Sequence, residues 1–135
     1  MERVGQAGFN DKGSRKLSEH DEQKALFDWA ELDGRPGLSM MFAIPNGGHR
    51  KKQVAAKLKA EGVKRGVPDI CLPVARQGFN GLYIELKKPK DTTPAGKPTK
   101  EQIEWLGALS DEGYFAVMCI GWEVAKATIC DYLDG

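Results

Sequence analysis

Apolar and polar residues follow helical spacing in some parts of this chain and form short apolar runs in others. Behind Ser18, a suitable N-cap, apolar positions recur every three or four residues to about Ala30, which predicts a first helix. Segments 40–44, 69–74, 82–87 and 114–120 are predicted strands. Segments 51–61, 99–110 and 121–132 are predicted helices. This order of elements predicts a mixed α/β domain.

Length and composition predict one globular domain. The chain has 135 residues, enough to bury a hydrophobic core, and we assign residues 18–135 to the domain. Residues 1–17 are polar, contain glycine and have no periodicity, which predicts a flexible N-terminal arm. An apolar run long enough to cross a membrane is absent, as is a secretory signal. Together with three widely spaced cysteines, this favours a reduced cytoplasmic compartment.

Charge is distributed unevenly along the chain, although the net charge is only +1. Residues 49–100 carry 13 basic and 4 acidic residues, a net of +9. Residues 1–48 and 101–135 carry net charges of −2 and −6. A basic middle segment is typical of a protein that binds a polyanion, and a solvated lysine-rich surface is the alternative.

Candidate catalytic residues lie inside this basic segment. Asp69 follows Gly66-Val67-Pro68 at the first position of a predicted strand, and Glu85-Leu86-Lys87 ends the next strand. Glu85 and Lys87 share one face of their strand because side chains alternate. Two carboxylates can hold Mg²⁺ or Mn²⁺, which polarises a phosphate and lowers the pKa of a bound water. An ammonium group can orient that water and offset developing charge.

Two further polar residues are predicted to face the protein interior. Glu22 precedes Leu26 and Trp29 by helical spacings, so it lies on the apolar stripe of the first helix, where a carboxylate needs a partner or a metal. Glu19, in the first turn, is the less favoured candidate because the helix dipole alone explains an acid there. Gln102 has the same inward spacing, but it is equally well explained as the capping-box partner of Thr99.

One set of residues occurs in a defined order along the chain: Glu22, Asn46, the segment 63–69 with Lys64-Arg65, Asp69, Glu85-Leu86-Lys87 and Gln102. In this order, the set resembles the VRR-NUC domain. The resemblance runs from about Ser18 to Ile120. It implies a restriction-endonuclease-like α/β fold of the PD-(D/E)xK superfamily, with a mixed sheet flanked by helices. It also implies that Glu22, Asp69, Glu85 and the Leu86 carbonyl bind metal and that Lys87 is catalytic. Gln102 is included as a candidate catalytic residue.

The resemblance further implies a metal-dependent endonuclease that acts on branched DNA such as Holliday junctions. Small stand-alone relatives from bacteria and phages resemble dimeric junction resolvases, so a homodimer in a bacterial or phage-infected cell is expected. A DNA-binding module without activity and an RNA-processing nuclease remain alternatives, and matched DNA and RNA cleavage assays discriminate between the nucleases. Predicted nucleic-acid contacts are Asn46, Arg50, Lys51, Lys52, Lys64, Arg65 and Lys88.

Overall fold

A four-stranded mixed sheet lies at the centre of the computed structural model, which describes residues 17–45, 51–89 and 96–135. Its strands are β1 (Phe42–Ala43), β2 (Ile70–Leu72), β3 (Leu82–Lys87) and β4 (Phe115–Ile120). The spatial order follows the chain order, with β1–β2 and β2–β3 antiparallel and β3–β4 parallel. The predicted mixed α/β architecture is confirmed.

Four α-helices are present in the described part of the chain. They are α1 (Glu19–Asp33), α2 (Lys52–Ala60), α3 (Lys100–Asp111) and α4 (Trp122–Asp134), and a short 3-10 helix spans Leu38–Met40. The helix starts at Ser18 and Thr99 are confirmed, because each hydroxyl accepts a hydrogen bond from the backbone N–H three residues later. Helix α1 ends at Gly34, whose φ of 75° suits glycine.

The hydrophobic core lies on one face of the sheet, beneath α1 and α4. Leu82, Ile84 and Leu86 share that face of β3 and are almost fully buried. Leu26 of α1 and Ile129 of α4 are completely buried against the same cluster. The last helix therefore covers the sheet, although its Val124 remains 51% exposed.

Several predicted boundaries and burial patterns differ from the structure. The strand expected over 69–74 stops at Leu72, since Pro73 has no N–H to donate to a ladder. The run at 40–44 is mostly not strand, because Met40 belongs to the 3-10 helix. The apolar segment 114–120 predicts a buried strand, but β4 is largely half-buried. The spacing of Val54, Ala55 and Leu58 predicts an apolar stripe on α2, and this is wrong because Val54 and Ala55 are exposed.

The predicted N-terminal arm, residues 1–17, lies outside the described residues except for Leu17. The prolines and lysines of segment 88–98 predict an extended basic loop, and its residues 90–95 also lie outside the described residues. Within the described residues, no helix is both long and apolar enough to cross a bilayer.

Candidate active site

Strand β3 presents a charged pair on the face opposite the core. Glu85 and Lys87 are 3% and 5% exposed, so both charged side chains are removed from solvent. Lys87 Nζ lies 3.8 Å from Glu85 Oε2. Burying two such groups is costly unless they are paired or bind a ligand, which marks this strand end as a candidate site.

Asp69 joins this pair from the start of β2. Pro68, which is buried, precedes it and favours an extended backbone at the strand entry. Asp69 Oδ2 accepts a hydrogen bond from the Leu86 N–H at 2.8 Å, and its own carbonyl accepts one from Ile44 at 2.7 Å. The N–H and C=O of one strand residue point to the same side, so the Leu86 carbonyl also faces Asp69.

The electrostatics of Glu85 follow from this geometry. Burial is the largest influence and, with the nearby Asp69 carboxylate, raises the pKa of Glu85 to about 8, while Lys87 opposes that shift. Glu85 Oε1 is buried and has no hydrogen-bond partner among the described residues. A buried carboxylate oxygen without a partner, next to a second carboxylate, suits a cation.

The donor set matches a hard divalent cation. Magnesium uses oxygen ligands, keeps several waters and is commonly held by one or two carboxylates together with substrate phosphate. Asp69, Glu85 and the Leu86 carbonyl provide such oxygens at one strand end. Across residues 17–45, 51–89 and 96–135, no three His, Cys, Asp or Glu side chains form a ready-made metal cluster. Two carboxylates and a carbonyl are nevertheless sufficient for a magnesium-type site.

Gln102 performs both of the roles that its sequence position allowed. Its Oε1 accepts the Thr99 N–H at 2.9 Å, which completes the capping box of α3. Its Nε2 donates to Glu85 Oε2 at 3.1 Å. One amide therefore connects the start of α3 to the candidate site and leaves Glu85 Oε1 available.

The turn before Asp69 packs on the same helix start. Gly66 has a φ of +87°, and a Cβ placed there would lie 2.6 Å from Glu101 Cβ. Only glycine fits this conformation and this approach to α3. The neighbouring Lys64 and Arg65 are exposed on the turn.

Two acidic residues of α1 that are candidate ligands, Glu22 and Glu19, occupy different environments. Glu22 is buried, as predicted, and its Oε1 accepts the Trp122 N–H at 2.8 Å, so it caps the first turn of α4. Glu19 is exposed and lines a cleft that Asp69 also lines. It contributes to the raised pKa of Glu85. Glu19 was the less favoured candidate from the sequence. Its spacing of four residues from Gln23 and eight from Phe27, which puts all three on one helix face, was the signal that could have found it.

This cleft, which we name the α1 cleft, lies between α1 and the start of β2. It has a volume of about 450 Å³. Its lining residues are Glu19, His20, Gln23, Lys24, Phe27, Ala43 and Asp69. The α1 cleft thus extends from the candidate metal ligands along one face of the first helix.

Five of the seven predicted nucleic-acid contacts lie in the described part of the chain. Lys51, Lys52, Lys64 and Arg65 are exposed, and Lys88 is half-buried directly after the site strand. Asn46 and Arg50 lie outside the described residues. The contact roles of all these residues stay predictions.

Comparisons with known proteins identify the family. The VRR-NUC domain model matches residues 13–122. A solved structure of a VRR_NUC domain protein is similar over 89% of this chain and 91% of that chain, with 31% identity and a TM-score of 0.73. No curated protein matches the chain. The chain therefore belongs to the VRR-NUC domain family, a nuclease-type family, and the predicted restriction-endonuclease-like α/β fold is confirmed.

Proposed function

We propose that this protein is a divalent-metal-dependent endonuclease that hydrolyses phosphodiester bonds in branched DNA. The observation that carries the proposal is the buried Glu85, which lies between Asp69 and Lys87 and has one oxygen without a hydrogen-bond partner among the described residues. Family membership supports a nuclease. Perturbed, buried ionisable groups beside a cleft are typical of catalytic sites.

Asp69, Glu85 and the Leu86 carbonyl would hold Mg²⁺ or Mn²⁺. When bound, the ion supplies a Lewis acid for the scissile phosphate and lowers the pKa of a coordinated water. Gln102 donates to Glu85 Oε2, which would leave Oε1 to bind the ion. Lys87 places a donor-rich positive charge beside these carboxylates, where it can orient the attacking water and stabilise charge on the phosphate.

The third carboxylate is a choice between two residues of α1. Glu22 was the sequence-based candidate for a metal ligand, but its carboxylate already accepts a hydrogen bond from α4. Glu19 shares the α1 cleft with Asp69 and acts electrostatically on Glu85. The cleft that it shares with Asp69 favours Glu19 as the third ligand, and the hydrogen bond to α4 gives Glu22 a structural role.

We assign DNA binding to the predicted contact residues. They would contact phosphates and position the substrate without reading its sequence, and they are Lys51, Lys52, Lys64, Arg65, Lys88, Asn46 and Arg50. Binding should therefore weaken steeply with salt. A C2 homodimer would place two sites for symmetric cuts in a four-way junction, and this part of the proposal rests on the family resemblance.

The test is cleavage of a labelled four-way junction and a matched linear duplex, with Mg²⁺, Mn²⁺ or EDTA. Wild type is compared with Lys87→Ala, and Glu19→Gln with Glu22→Gln. The proposal expects metal-dependent, symmetric junction cuts that disappear in Lys87→Ala. It expects Glu19→Gln to weaken metal activation, whereas Glu22→Gln keeps an oxygen for the Trp122 N–H and retains activity.

The same assay discriminates the alternatives. Tight junction binding without cleavage under any metal would identify a binding module instead of a nuclease. Faster cleavage of a matched RNA junction would identify an RNA-processing enzyme. Retained cleavage in correctly folded Lys87→Ala would refute the assigned site, and loss of metal activation in Glu22→Gln alone would restore Glu22 as the ligand.

A further inference from the structure

The α1 cleft contains groups that the proposed hydrolysis does not use. Beyond the carboxylates, its wall is formed by Gln23 and Phe27, one turn apart on α1, and by Ala43 of β1. Its volume of about 450 Å³ lies within the range of small-molecule sites, roughly 300–1,000 Å³. A continuous duplex cannot enter such a space, whereas a single nucleotide outside the base stack can.

The charge of the cleft decides which part of a nucleotide it accepts. Glu19 and Asp69 bring two carboxylates. Lys24 lies at the rim, but its ammonium is 2.8 Å from the Asp28 carboxylate, which offsets its charge. Glu19 and Asp69 lie at the end where the proposed ion would hold the scissile phosphate, and the remaining lining offers a second phosphate no unpaired positive charge. A neutral base needs no such charge.

The uncharged lining complements a nucleobase. Phe27 is half-buried and supplies an aromatic surface, which bases of every type can contact. The Gln23 amide supplies both donors and an acceptor for the polar edge of a base. His20 lies on the same helix face, close to the metal end. The apolar wall and the amide are therefore arranged beside the candidate catalytic residues.

We propose that the α1 cleft binds one unpaired nucleobase next to the scissile phosphate, held by Phe27 and Gln23. This inference rests on the proposed nuclease function and specifies its substrate class. The preferred DNA contains an unpaired or easily unstacked nucleotide at the cut site, as at a branch point or flap. A fully paired linear duplex would have to unstack a base first, which costs energy.

The experiment measures base recognition separately from cleavage. Branched DNA carries 2-aminopurine, or an abasic residue, at successive positions around the branch. Binding is followed with Mg²⁺ in a Lys87→Ala background, so that DNA hydrolysis is not required. Phe27→Leu removes the ring but keeps an apolar side chain toward the core, and Gln23→Ala removes the amide together with its Cγ methylene. Phe79→Leu is the matched aromatic control, since Phe79 lies in the β2–β3 loop at the opposite end of β3.

We expect 2-aminopurine emission to rise on binding at one or two adjacent positions, because that base leaves the stack. An abasic residue at the same position should weaken binding about 5- to 150-fold, the range for loss of one stacked base. Phe27→Leu and Gln23→Ala should each reduce this position dependence, while Phe79→Leu should leave it unchanged. The same position should then control the cleavage rate of the wild-type enzyme.

Two results would overturn the inference. One is an absence of position dependence in both 2-aminopurine emission and abasic binding. The other is a position dependence that persists unchanged in Phe27→Leu and Gln23→Ala. Base-dependent binding without any cleavage by wild type would refute the nuclease proposal and leave the base site intact. Cleavage without base dependence would refute the base site and leave the nuclease proposal intact. The two failures are therefore distinguishable.

Discussion

The two faces of β3 use the same six residues of backbone for opposite purposes. One face presents Leu82, Ile84 and Leu86 to a dry core beneath α1 and α4. The other presents Glu85 and Lys87, equally removed from solvent but ionisable. Burial of the core face stabilises the fold, whereas burial of the ionisable groups on the second face lowers that stability. The rigid apolar side is thus the support on which the site is built.

The largest expected effect belongs to the charged face. Glu85→Gln should lower the cleavage rate by about 100- to 1,000-fold, because it removes the negative charge of a proposed metal ligand. Removing one group that stabilises a transition state typically lowers the rate by this factor. Stability at pH 7 should change little, since the raised pKa of about 8 keeps Glu85 mostly protonated without metal, and glutamine resembles that form. Single-turnover cleavage and urea unfolding measure the two quantities. A large loss of stability would show that the charged face is also structural.

The apolar face should give the reverse result. Ile84→Ala removes a completely buried side chain and should lower the free energy of unfolding by about 2–5 kcal/mol. Cleavage per folded molecule, measured well below the midpoint of thermal unfolding, should remain close to wild type. Val54→Ala on exposed α2 is the control and should change stability by less than about 0.5 kcal/mol. Equal losses in both variants would contradict the assignment of the core.

A smaller effect is expected where the turn before β2 contacts α3. Gly66→Ala introduces both an unfavourable positive φ and a Cβ that collides with Glu101, so a loss of about 1–3 kcal/mol is expected. Gly62→Ala is the matched control, since its φ is +100° but nothing lies within 4 Å of the added Cβ. Only Gly66→Ala should also reduce metal activation, because it displaces the helix start that holds Gln102. Equal behaviour of the two variants would show that packing against α3 is unimportant.

The last expected effect concerns pH. The folded protein holds the Glu85 proton up to a pKa of about 8, whereas the ordinary value in an unfolded chain is 4.5. Because the folded state binds more protons in that window, stability of the metal-free protein should fall as pH rises from about 4.5 to 8. Glu85→Gln should flatten this slope, and Mg²⁺ should raise the melting temperature most at the alkaline end. If the pH dependence of stability without metal is unchanged in Glu85→Gln, other ionisable groups are its cause.

Sequence reasoning located the strand pair of the site but not its third carboxylate. Strand β3 and the helix starts at Ser18 and Thr99 follow from local patterns of alternation and capping, and all three are confirmed. The choice between Glu19 and Glu22 does not follow from such patterns. Both residues belong to the first turns of α1, and only the rotation of that helix against the sheet separates them.

The sequence by itself determined the family, the order of elements and the residues Asp69, Glu85 and Lys87 at the ends of neighbouring strands, because these depend on short-range periodicity and motif order. The tertiary structure decided the environments. In the folded chain, Glu22 lies at the N-terminus of α4, the α1 cleft lies beside Asp69, and Gln102 has two hydrogen-bond partners. Those outcomes depend on contacts between residues far apart in the chain, and no local pattern encodes which partner a buried polar group will find.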